Sequence, residues 1–406
     1  TGATALNINI YGITPGFFTF NGINGIEIPE GTIAINRSLA DHLNVAEGDE
    51  ITIRFREADP IPENAPFAPE NQGENSKVFK ISVILDAGSA GNFSLGISQL
   101  IPQNIFVNLR DLQSEGISSY RINRLLVADN GNISESTINK ILTETLLITD
   151  LGFSIRKSEA TGETEVISDR IFIDSAIVSK ILKELNQGYP VITYLANSMK
   201  TGNSETPYSF VSGIPFEGTE SPAGDEILIS RWLADDLNAR KGDNITLKWY
   251  HPVGNKLEEK EKTFVIKGIT GSRNIFSDPS LMPEFPGISG STSCSSWDAG
   301  IPILMDKIRD KDEEYWNRFK GTPKAFVNYE EGKKLWGNNF GPATAVRFPS
   351  DINEELIINS LKGKIEPLEA GITITNVKRS GEEAAKKGVD FGTLFLSLGF
   401  FIILSS

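Results

Sequence analysis

The sequence contains very little cysteine and histidine. Cys294 is its single thiol, and His42 and His251 are its two imidazoles among 406 residues. A single thiol cannot form a disulfide framework within the chain. A zinc protease motif, a cysteine–histidine dyad or a serine–histidine–aspartate triad would each need more histidines, or better placed ones. Cys294 lies in a serine-rich stretch with no neighbouring cation to lower the pKa of its thiol, so we expect it to be unreactive.

The sequence also lacks the motifs that bind phosphate and the positive charge that binds nucleic acid. It contains no Walker A loop and no GxGxxG that follows a strand pattern, which predicts no nucleotide or dinucleotide site. Its 53 acidic and 39 basic residues give a net charge of −14, and no basic patch carries interleaved aromatic residues. We therefore predict that the chain binds no nucleic acid.

One acidic cluster is a candidate metal site, formed by Asp306, Asp310, Asp312, Glu313 and Glu314. It lacks the glycine and the ligand spacing of an EF-hand loop, so a solvated helix face is the favoured interpretation. We predict no catalytic residue, no cofactor-binding residue and no metal ligand, and therefore no enzyme. Paired carboxylates for glycoside hydrolysis need no local motif, so that chemistry stays open, although nothing in the sequence favours it.

The feature that organises the chain is a stretch that it carries twice. Residues 33–53 read IAINRSLADHLNVAEGDEITI, and residues 227–247 read ILISRWLADDLNARKGDNITL. Aligned without a gap, the two copies are identical at twelve positions, which hold Ile, Ile, Arg, Leu, Ala, Asp, Leu, Asn, Gly, Asp, Ile and Thr. This density of matches indicates an internal repeat.

Each copy of the repeat reads as a strand, a helix, a turn and a second strand. Ile33 and Ile35 alternate as a half-buried strand requires, and Asn36 is placed as a helix N-cap, with Ser230 in the second copy. Asn44 and Asn238 follow the helices and tolerate the left-handed conformation that ends many helices. The predicted buried helix faces are Leu39, Ala40 and Leu43 in the first copy and Leu233, Ala234 and Leu237 in the second.

The repeat also contains polar residues that invite a chemical interpretation. The dipeptides Gly48-Asp49 and Gly242-Asp243 suggest a catalytic or metal-binding aspartate present twice, but an aspartate that caps its own turn is strongly favoured. His42 aligns with Asp236 of the second copy. An exposed helical position is therefore the better interpretation of His42.

Strand and helix patterns alternate along the rest of the chain. They predict an α+β fold with mixed sheets, in which the repeated unit lies in two small β-rich subdomains. The main predicted strands are 5–13, 78–85, 105–107, 125–127, 326–327 and 345–348, and the main predicted helices are 133–151, 172–185, 306–321 and 352–361. Residues 54–77 are predicted to be a long surface loop or an extended hairpin tip, and the Pro-, Gly- and Ser-rich stretch from Phe276 an irregular surface segment. We predict four parts: a first repeat region (1–150), a connecting α/β segment (151–205), a second repeat region (206–375) and a stalk that begins a transmembrane helix (376–406).

The C-terminal residues predict a membrane segment. The charged stretch EEAAKKGVD (382–390) leads into residues 391–406, which carry no charge and are rich in Phe, Leu and Ile. A bilayer-spanning helix needs about 20 apolar residues, so we expect Phe391–Ser406 to begin such a helix and to protrude from the globular body, with Asn376–Asp390 as its stalk. A buried core helix and, from its length, a GPI-type tail are the alternatives. The chain has no initiator Met or signal peptide, which suggests an excised segment.

The repeat and its flanking segments resemble the extracytoplasmic part of FtsX-like, MacB-type ABC-transporter permeases. The segments that carry this resemblance are 35–51, NFSLGISQLIPQNIFVNLRDLQ (92–113), TYLANSMKTGNSETPYSFVSGI (193–214), LMPEFPGISG and SSWDAGIP within 281–302, YWNRFKGTPKAF (315–326), FGPATAVRF (340–348) and DFGTLFLSLGFFIIL (390–404). The resemblance implies a subunit of the inner membrane without ATPase activity, whose extracytoplasmic domain is moved by nucleotide-driven motion of its transmembrane helices. Implied partners are a separate ATP-binding subunit, the lipid bilayer at Phe391–Ser406, and a periplasmic protein.

The work of that family includes export of peptides or antibiotics, lipoprotein release and activation of cell-wall hydrolases, and the sequence does not choose among them. The family has no catalytic residues in this region to transfer. A rival interpretation is a membrane-anchored extracellular enzyme or glycan-binding module. A third, a soluble interaction scaffold, requires residues 391–406 to form a buried core helix.

Overall fold

The computed structural model describes residues 2–56, 61–62, 65–68, 74–96, 100–113, 122–128, 133–216, 221–253, 256–271, 274–298 and 300–388, together with 395 and 400. The chain forms two compact units. The first unit comprises Thr1–Glu57, Glu74–Ile138 and Ile374–Ser406, and the second comprises Ala58–Gly73 and Asn139–Thr373. The two copies of the repeat therefore lie in different units. The division of the sequence at 150, 205 and 375 remains a prediction.

The first unit is built on a five-stranded mixed sheet. Its strands are β1 (Asn9–Ile13), β2 (Thr32–Asn36), β3 (Glu50–Arg56), β4 (Glu74–Leu85) and β5 (Asn104–Asn108), in the order β1-β5-β2-β4-β3. The pairs β1–β5 and β2–β4 are parallel, whereas β2–β5 and β3–β4 are antiparallel. Short helices α1 (Phe17–Phe20), α2 (Arg37–Leu43) and α3 (Leu109–Leu112) accompany the sheet. Apolar side chains of α2 and of one sheet face, such as Ile33, Ile35 and Leu39, form one core cluster.

Helix α4 (Glu135–Thr145) continues the chain from the first unit into the second. The second unit contains strands β6 (Phe153–Lys157), β7 (Thr164–Ser168), β8 (Tyr189–Thr201), β9 (Ser204–Ile214), β10 (Glu226–Ser230), β11 (Asn244–Val253), β12 (Lys256–Thr270), β13 (Ala325–Asn328) and β14 (Ala345–Phe348). Its helices are α5 (Ser175–Glu184), α6 (Arg231–Leu237), α7 (Asp310–Phe319), α8 (Tyr329–Trp336) and α9 (Glu354–Leu361).

The nine strands of the second unit form one sheet in the order β11-β12-β10-β13-β9-β8-β14-β7-β6. Strand β8 also pairs with β11, because Thr246, Leu247 and Lys248 lie opposite Lys200, Met199 and Ser198. This extra pairing closes the strands from β8 to β13 into a six-stranded barrel. The α+β class with mixed sheets, predicted from the alternating patterns, is confirmed.

Both copies of the repeat fold as the predicted strand, helix, turn and strand. In the first copy Asn36 Oδ1 accepts a hydrogen bond from Leu39 N at 3.2 Å, and in the second Ser230 Oγ accepts from Leu233 N at 3.2 Å. The left-handed residue that ends each helix is an asparagine with φ of 51° at Asn44 and of 50° in the second copy. The predicted apolar helix faces are buried in both copies. The sequence pattern therefore predicted both helices and their caps correctly.

The duplication extends beyond the 21 aligned positions to a whole sheet. Strands β9, β10, β11, β12 and β13 have the same order and directions as β1, β2, β3, β4 and β5, since β9-β13-β10-β12-β11 matches β1-β5-β2-β4-β3. The parallel pairs β2–β4 and β10–β12 even share a register shift, at Ile33/Ala34 and at Ile227/Leu228. The two units thus contain the same five-stranded arrangement.

Side chains outside the aligned repeat also match between the units. Strands β5 and β13 both end in Phe-Val-Asn, and the asparagines Asn108 and Asn328 both cap the helix that follows. The partner strands carry Gly12 and Gly213 where a helix passes closely. A Cβ at Gly12 would lie 2.9 Å from Leu112 Cδ1, and one at Gly213 would lie 3.1 Å from the Cα of Gly332. At Gly213 the backbone of α8 leaves little room for a Cβ, whereas at Gly12 the nearest atom is a leucine methyl group.

The prediction for 54–77 is confirmed in part, because β3 and β4 pair antiparallel up to Arg56 opposite Glu74, as in a hairpin. The surface position is wrong for the described residues between these two strands. Ile61 and Phe67 are buried in the second unit. The ring of Phe67 lies 4.9 Å from that of Tyr194 and 4.6 Å from that of Phe285, centroid to centroid. The polar composition of the loop obscured these few apolar residues. Their burial in a core stabilises the folded protein.

Two further predictions need correction. No strand forms at 125–127: these residues have no regular structure, and Leu125 is 70% exposed. The segment from Phe276 is irregular as predicted, but it does not lie on the surface, because Leu281, Phe285 and Ile288 are buried. Short 3₁₀ turns provide hydrogen bonds for its backbone in place of a sheet. Helix α8 was not predicted.

The charged stretch before the apolar C-terminus forms helix α10 (Val377–Gly388). Beyond it the structure describes Phe395 and Phe400, which are helical and 70% and 62% exposed. The other residues of the predicted transmembrane segment Phe391–Ser406 lie outside the described residues. Over the part of the chain that the structure does describe, no helix has both the length and the apolar composition required to cross a bilayer.

Candidate functional site

The paired turn aspartates of the repeat are structural. Asp49 Oδ2 accepts a hydrogen bond from Ala46 N at 2.8 Å, and Asp243 Oδ2 accepts from Arg240 N at 2.8 Å. Each carboxylate therefore closes the turn three residues before it, as the sequence predicted. The matching distances in the two copies show that the turn geometry explains why an aspartate stands here twice.

The two histidines are far apart in the sequence and in different units. His42 is exposed on α2, where its Nδ1 lies 2.6 Å from Gln103 Nε2. The exposed helical position predicted for it is confirmed. His251 lies on β11, and burial, with a contribution from Lys260, lowers the pKa of its imidazole.

Cys294 is buried in the second unit. Burial, reinforced by Glu313, raises the pKa of its thiol to about 12, so the thiolate needed for nucleophilic chemistry is not populated near neutral pH. The predicted lack of reactivity is consistent with this pKa, but the reason given from the sequence was incomplete. Lys324 lies close enough to lower the pKa of Cys294, and burial and Glu313 outweigh it.

The acidic cluster is not uniformly a solvated helix face. Asp306, Asp310 and Glu314 are exposed, whereas Asp312 is buried. The carboxylate of Asp312 receives Arg309 Nε at 2.6 Å on Oδ2 and the Arg309 Nη2 group at 2.7 Å on Oδ1. The prediction is thus wrong for Asp312, because helix α7 turns this position towards the core. Among the described residues, no three carboxylate, histidine or cysteine side chains are grouped so that they could hold a metal ion.

The centre of this region is Lys324, which is 4% exposed. Its Nζ lies 4.0 Å from the ring centroid of Trp232 and 4.4 Å from that of Tyr315, and 3.8 Å from Asp312 Oδ1. Burial lowers the pKa of Lys324 to about 8, and Asp312 acts in the opposite direction. Two aromatic faces and one carboxylate stabilise the ammonium group in place of the water that would solvate it at the surface.

A narrow cavity of about 20 Å³ adjoins Lys324, and its walls include Tyr208, Cys294 and Trp297. This volume has room for about one water molecule. Trp297 Nε1 is buried and has no hydrogen-bond partner among the described residues. The cavity can therefore hold a solvent molecule, but it is far smaller than the pockets of about 300 Å³ or more that bind small molecules.

The second copy of the repeat contributes Asp236 to the same cluster. Thr206 Oγ1 donates to Asp236 Oδ2 at 2.5 Å and Arg309 Nη2 donates to it at 2.8 Å, while Lys311 pairs with the other carboxylate oxygen. Burial raises the pKa of Asp236, but hydrogen bonds from Lys311, Thr206 and Arg309 outweigh it and hold the pKa below its ordinary value. The sequence gave no signal of this role, because Asp236 aligns with the exposed His42.

A second buried charge cluster surrounds Arg347 on β14. Its guanidinium donates to Glu165 Oε2 at 2.8 Å and to Asp278 Oδ2 at 2.6 Å, and all three side chains are at most 1% exposed. Burial raises the pKa of Asp278, but Arg347 and the hydroxyls of Ser158 and Ser280 outweigh it and hold the pKa below its ordinary value. The cluster ties the irregular segment that contains Asp278 to strands β7 and β14. Removal of one partner from such a cluster leaves a buried charge without compensation, which destabilises the fold.

The C-terminal helix α10 presents a different kind of site. Asn376 caps it, since its Oδ1 accepts from Arg379 N at 2.9 Å, and Arg379 Nη2 donates to Glu135 Oε1 of α4 at 2.7 Å. This ion pair is exposed and is therefore worth at most about 1 kcal/mol. Past the helix, the exposed rings of Phe395 and Phe400 stand in a stretch without charge. Exposure of large apolar side chains to water is unfavourable, and such patches mark sites of interaction with another apolar surface.

Comparison of the chain with protein-family models and with curated proteins finds no match. Among solved structures, the chain is similar to the periplasmic region of MacB from Actinobacillus actinomycetemcomitans. The two share 9% sequence identity over 56% of this chain and 94% of that one, with a TM-score of 0.28. A likeness at this TM-score carries no argument about fold or function.

Proposed function

We propose that this chain is the extracytoplasmic part of a permease subunit of an ABC transporter. In this role it has no enzymatic activity of its own. A separate ATP-binding subunit drives the transmembrane helices, and their motion reaches the extracytoplasmic domain through α10. The proposal rests on the resemblance of the sequence segments to FtsX-like permeases. The single observation that carries it is the helix that leads into an uncharged segment with two exposed phenylalanines, Phe395 and Phe400.

The free energy of the C-terminal segment supports a bilayer as its environment. Burying one phenylalanine side chain stabilises a protein by about 1.5–3 kcal/mol relative to leaving it in water. Residues 391–406 add further Phe, Leu and Ile residues and no charge. A lipid bilayer would bury all of these side chains around the helix axis at once, whereas a helix packed on a globular surface buries one face.

The stalk would transmit the motion of the transmembrane helices to the extracytoplasmic domain as a short rigid helix. A helix rises 1.5 Å per residue, and the 12 residues of α10 follow directly on its N-cap, Asn376. Its ion pair with Glu135 joins it to α4, so a displacement of α10 would act on that contact. Because the pair is exposed, we expect it to guide the helix and to contribute little to stability.

Vesicle flotation of this chain tests the membrane assignment. We expect the wild-type chain to float with neutral phosphatidylcholine vesicles, and the double variant Phe395→Asp/Phe400→Asp to remain in the dense fractions. Leu368→Asp is the matched control, because Leu368 is also 70% exposed but lies in the second unit. Equal flotation of all three proteins, or none by the wild type, would remove the support for a transmembrane helix.

Co-purification tests the transporter assignment. The full-length parent protein, extracted in detergent, should bring with it an ATP-binding subunit whose hydrolysis rate depends on the permease. A charge exchange, Arg379→Glu with Glu135→Arg, should preserve that dependence better than either single change. If the parent protein purifies without an ATP-binding subunit, the proposal fails even where flotation succeeds.

A further inference from the structure

The barrel of the second unit depends on one strand that the first unit does not match. Strand β8 pairs antiparallel with β9 from Ile192 opposite Gly213 to Thr201 opposite Ser204. Its far end also pairs with β11, with Met199 opposite Leu247. Strand β8 therefore fills the gap between the two end strands of the duplicated five-stranded arrangement.

The first unit has the same five strands, but its end strands are paired on one side. Strand β1 is the counterpart of β9 and pairs with β5, and β3 is the counterpart of β11 and pairs with β4. Across the described residues, no strand pairs with the other edge of β1 or of β3. Their backbone N–H and C=O groups along those edges form an open template for another strand.

The side chains near these edges show the same difference in cover. Ile51 and Phe55 on β3 are half-buried, whereas their counterparts Ile245 and Trp249 on β11 are buried. Likewise Ile10 on β1 is half-buried, and its counterpart on β9 is 1% exposed. An added strand would remove this apolar surface from water, which favours its binding.

A charge on the edge strand does not prevent such an addition. Charged residues on edge strands commonly discourage unwanted pairing, and β3 carries Arg54. Its counterpart on β11 is Lys248, which lies directly opposite Ser198 of β8 within the closed barrel. A basic residue at this position is therefore compatible with a strand beside it.

We propose that the open edge of the first unit's sheet binds an extended, mainly apolar segment of a partner polypeptide, antiparallel to β1 and reaching β3. Backbone hydrogen bonds would hold the segment, and alternate side chains would cover Ile10, Ile51 and Phe55, as in other cases of strand addition. Strand β8 shows the chemistry that fits, since all of its residues from Val191 to Met199 are buried. This inference goes beyond the proposed function and does not depend on it.

A synthetic peptide with the sequence of residues 189–201, YPVITYLANSMKT, is the probe, used with the whole chain. We expect saturable binding by fluorescence anisotropy and slower hydrogen exchange at the amides of Ile10 and Gly12. These two N–H groups face away from β5, because Asn9 N donates to Gln103 O and successive residues of a strand point their N–H groups to opposite sides. Strand β6, an edge strand of the second unit, should show no change.

Two protein variants isolate the backbone contribution. Ile10→Pro removes the outward N–H and the side chain, and Ile10→Ala removes the side chain while keeping the N–H. We expect Ile10→Pro to bind the peptide at least about tenfold more weakly than Ile10→Ala, which corresponds to about 1.4 kcal/mol. A peptide with prolines in place of Ile192, Tyr194 and Ala196 should not bind the wild-type chain, which keeps the test valid if Ile10→Pro does not fold.

Three results would overturn the proposal. The first is absence of saturable peptide binding to the wild-type chain. The second is equal protection of β6 and β1, which would indicate non-specific association. The third is protection of the Ile10 and Gly12 amides before peptide is added, which would mean that this chain or a second copy already covers the edge. Sedimentation of the free chain would then show whether the chain covers its own edge as a monomer or a second copy covers it in a dimer.

Discussion

At the scale of single residues, the second unit buries charge where the sequence suggests solvent. Asp236 lies on α6, Asp312 on α7 and Lys324 directly before β13, and each looks exposed in its local pattern. Lys324 is buried by tertiary packing against Trp232 and Tyr315, and the two aspartates are held by Arg309, none of which periodicity reveals. This is why the sequence predicted the turn aspartates correctly but missed the charge cluster: a turn is local, and a cluster is not.

The pKa of Lys324 makes stability depend on pH. The folded protein releases this proton near pH 8, whereas the unfolded chain releases it at its ordinary value of 10.5. Between these values the unfolded state binds more protons, so the free energy of unfolding rises with pH. Cys294 acts in the opposite direction above pH 9, because its unfolded thiol ionises there and its buried thiol does not. The Cys294→Ala background therefore isolates the lysine.

We expect Cys294→Ala to gain about 2 kcal/mol of unfolding free energy between pH 7.5 and 9.5 relative to Cys294→Ala/Lys324→Met. Urea unfolding followed by tryptophan fluorescence measures both proteins across this range. Tyrosines with raised pKa, such as Tyr315, are present in both proteins, so their contribution cancels in the difference. Parallel pH profiles for the two proteins would contradict the assignment.

At the scale of elements, the sequence predicted what depends on neighbours along the chain. The caps Asn36 and Ser230, the apolar helix faces and the left-handed asparagines each follow from a few adjacent residues. The full duplication was not predicted, because outside the repeat the two copies share little more than Phe-Val-Asn and Gly-Ile. Strand partners such as Asn9 and Asn104 lie 95 positions apart, and local patterns do not specify such pairings.

The two N-caps should differ in their contribution to stability. Ser230→Ala removes one cap hydrogen bond and should cost about 1 kcal/mol. Asn36→Ala should cost about 2–3 kcal/mol, since Asn36 Oδ1 also accepts from the buried Asn104 N at 3.1 Å and its Nδ2 donates to Pro102 O at 2.6 Å. Ser230→Ala measures the effect in the second unit, and Asn36→Ala measures it in the first unit.

The measurement for this pair is hydrogen exchange at the amides of α2 and α6, which assigns each loss to its own unit. Asn36→Ser is the control, because a serine keeps a cap acceptor and loses the donor to Pro102. We expect its cost to lie between those of the other two variants. Equal costs for Asn36→Ala and Ser230→Ala would show that the additional hydrogen bonds of Asn36 contribute nothing.

At the scale of the whole molecule, neither unit is one continuous stretch of chain. The second unit includes Ala58–Gly73, which interrupts the chain of the first between β3 and β4. The aromatic contacts of Phe67 with Tyr194 and Phe285 belong to that unit's core. The backbone also fits closely there: a Cβ at Gly300 would lie 1.7 Å from Ala68 O. Ile61, Ala65 and Phe67 are therefore an integral part of the core, although the sequence around them is mostly polar.

A fragment of residues 139–373 tests this organisation. Loss of Phe67 alone should cost about 3–5 kcal/mol, by analogy with other buried phenylalanines, and loss of Ile61 adds to it. Because a domain is stable by only about 5–15 kcal/mol, we expect the fragment to melt at a much lower temperature than the second unit does in the whole chain. Adding a synthetic peptide of residues 58–73 should raise the melting temperature, while a Phe67→Ala peptide should not. If the fragment alone is as stable as the second unit in the intact chain, residues 58–73 are dispensable for the stability of that unit, which would contradict this prediction.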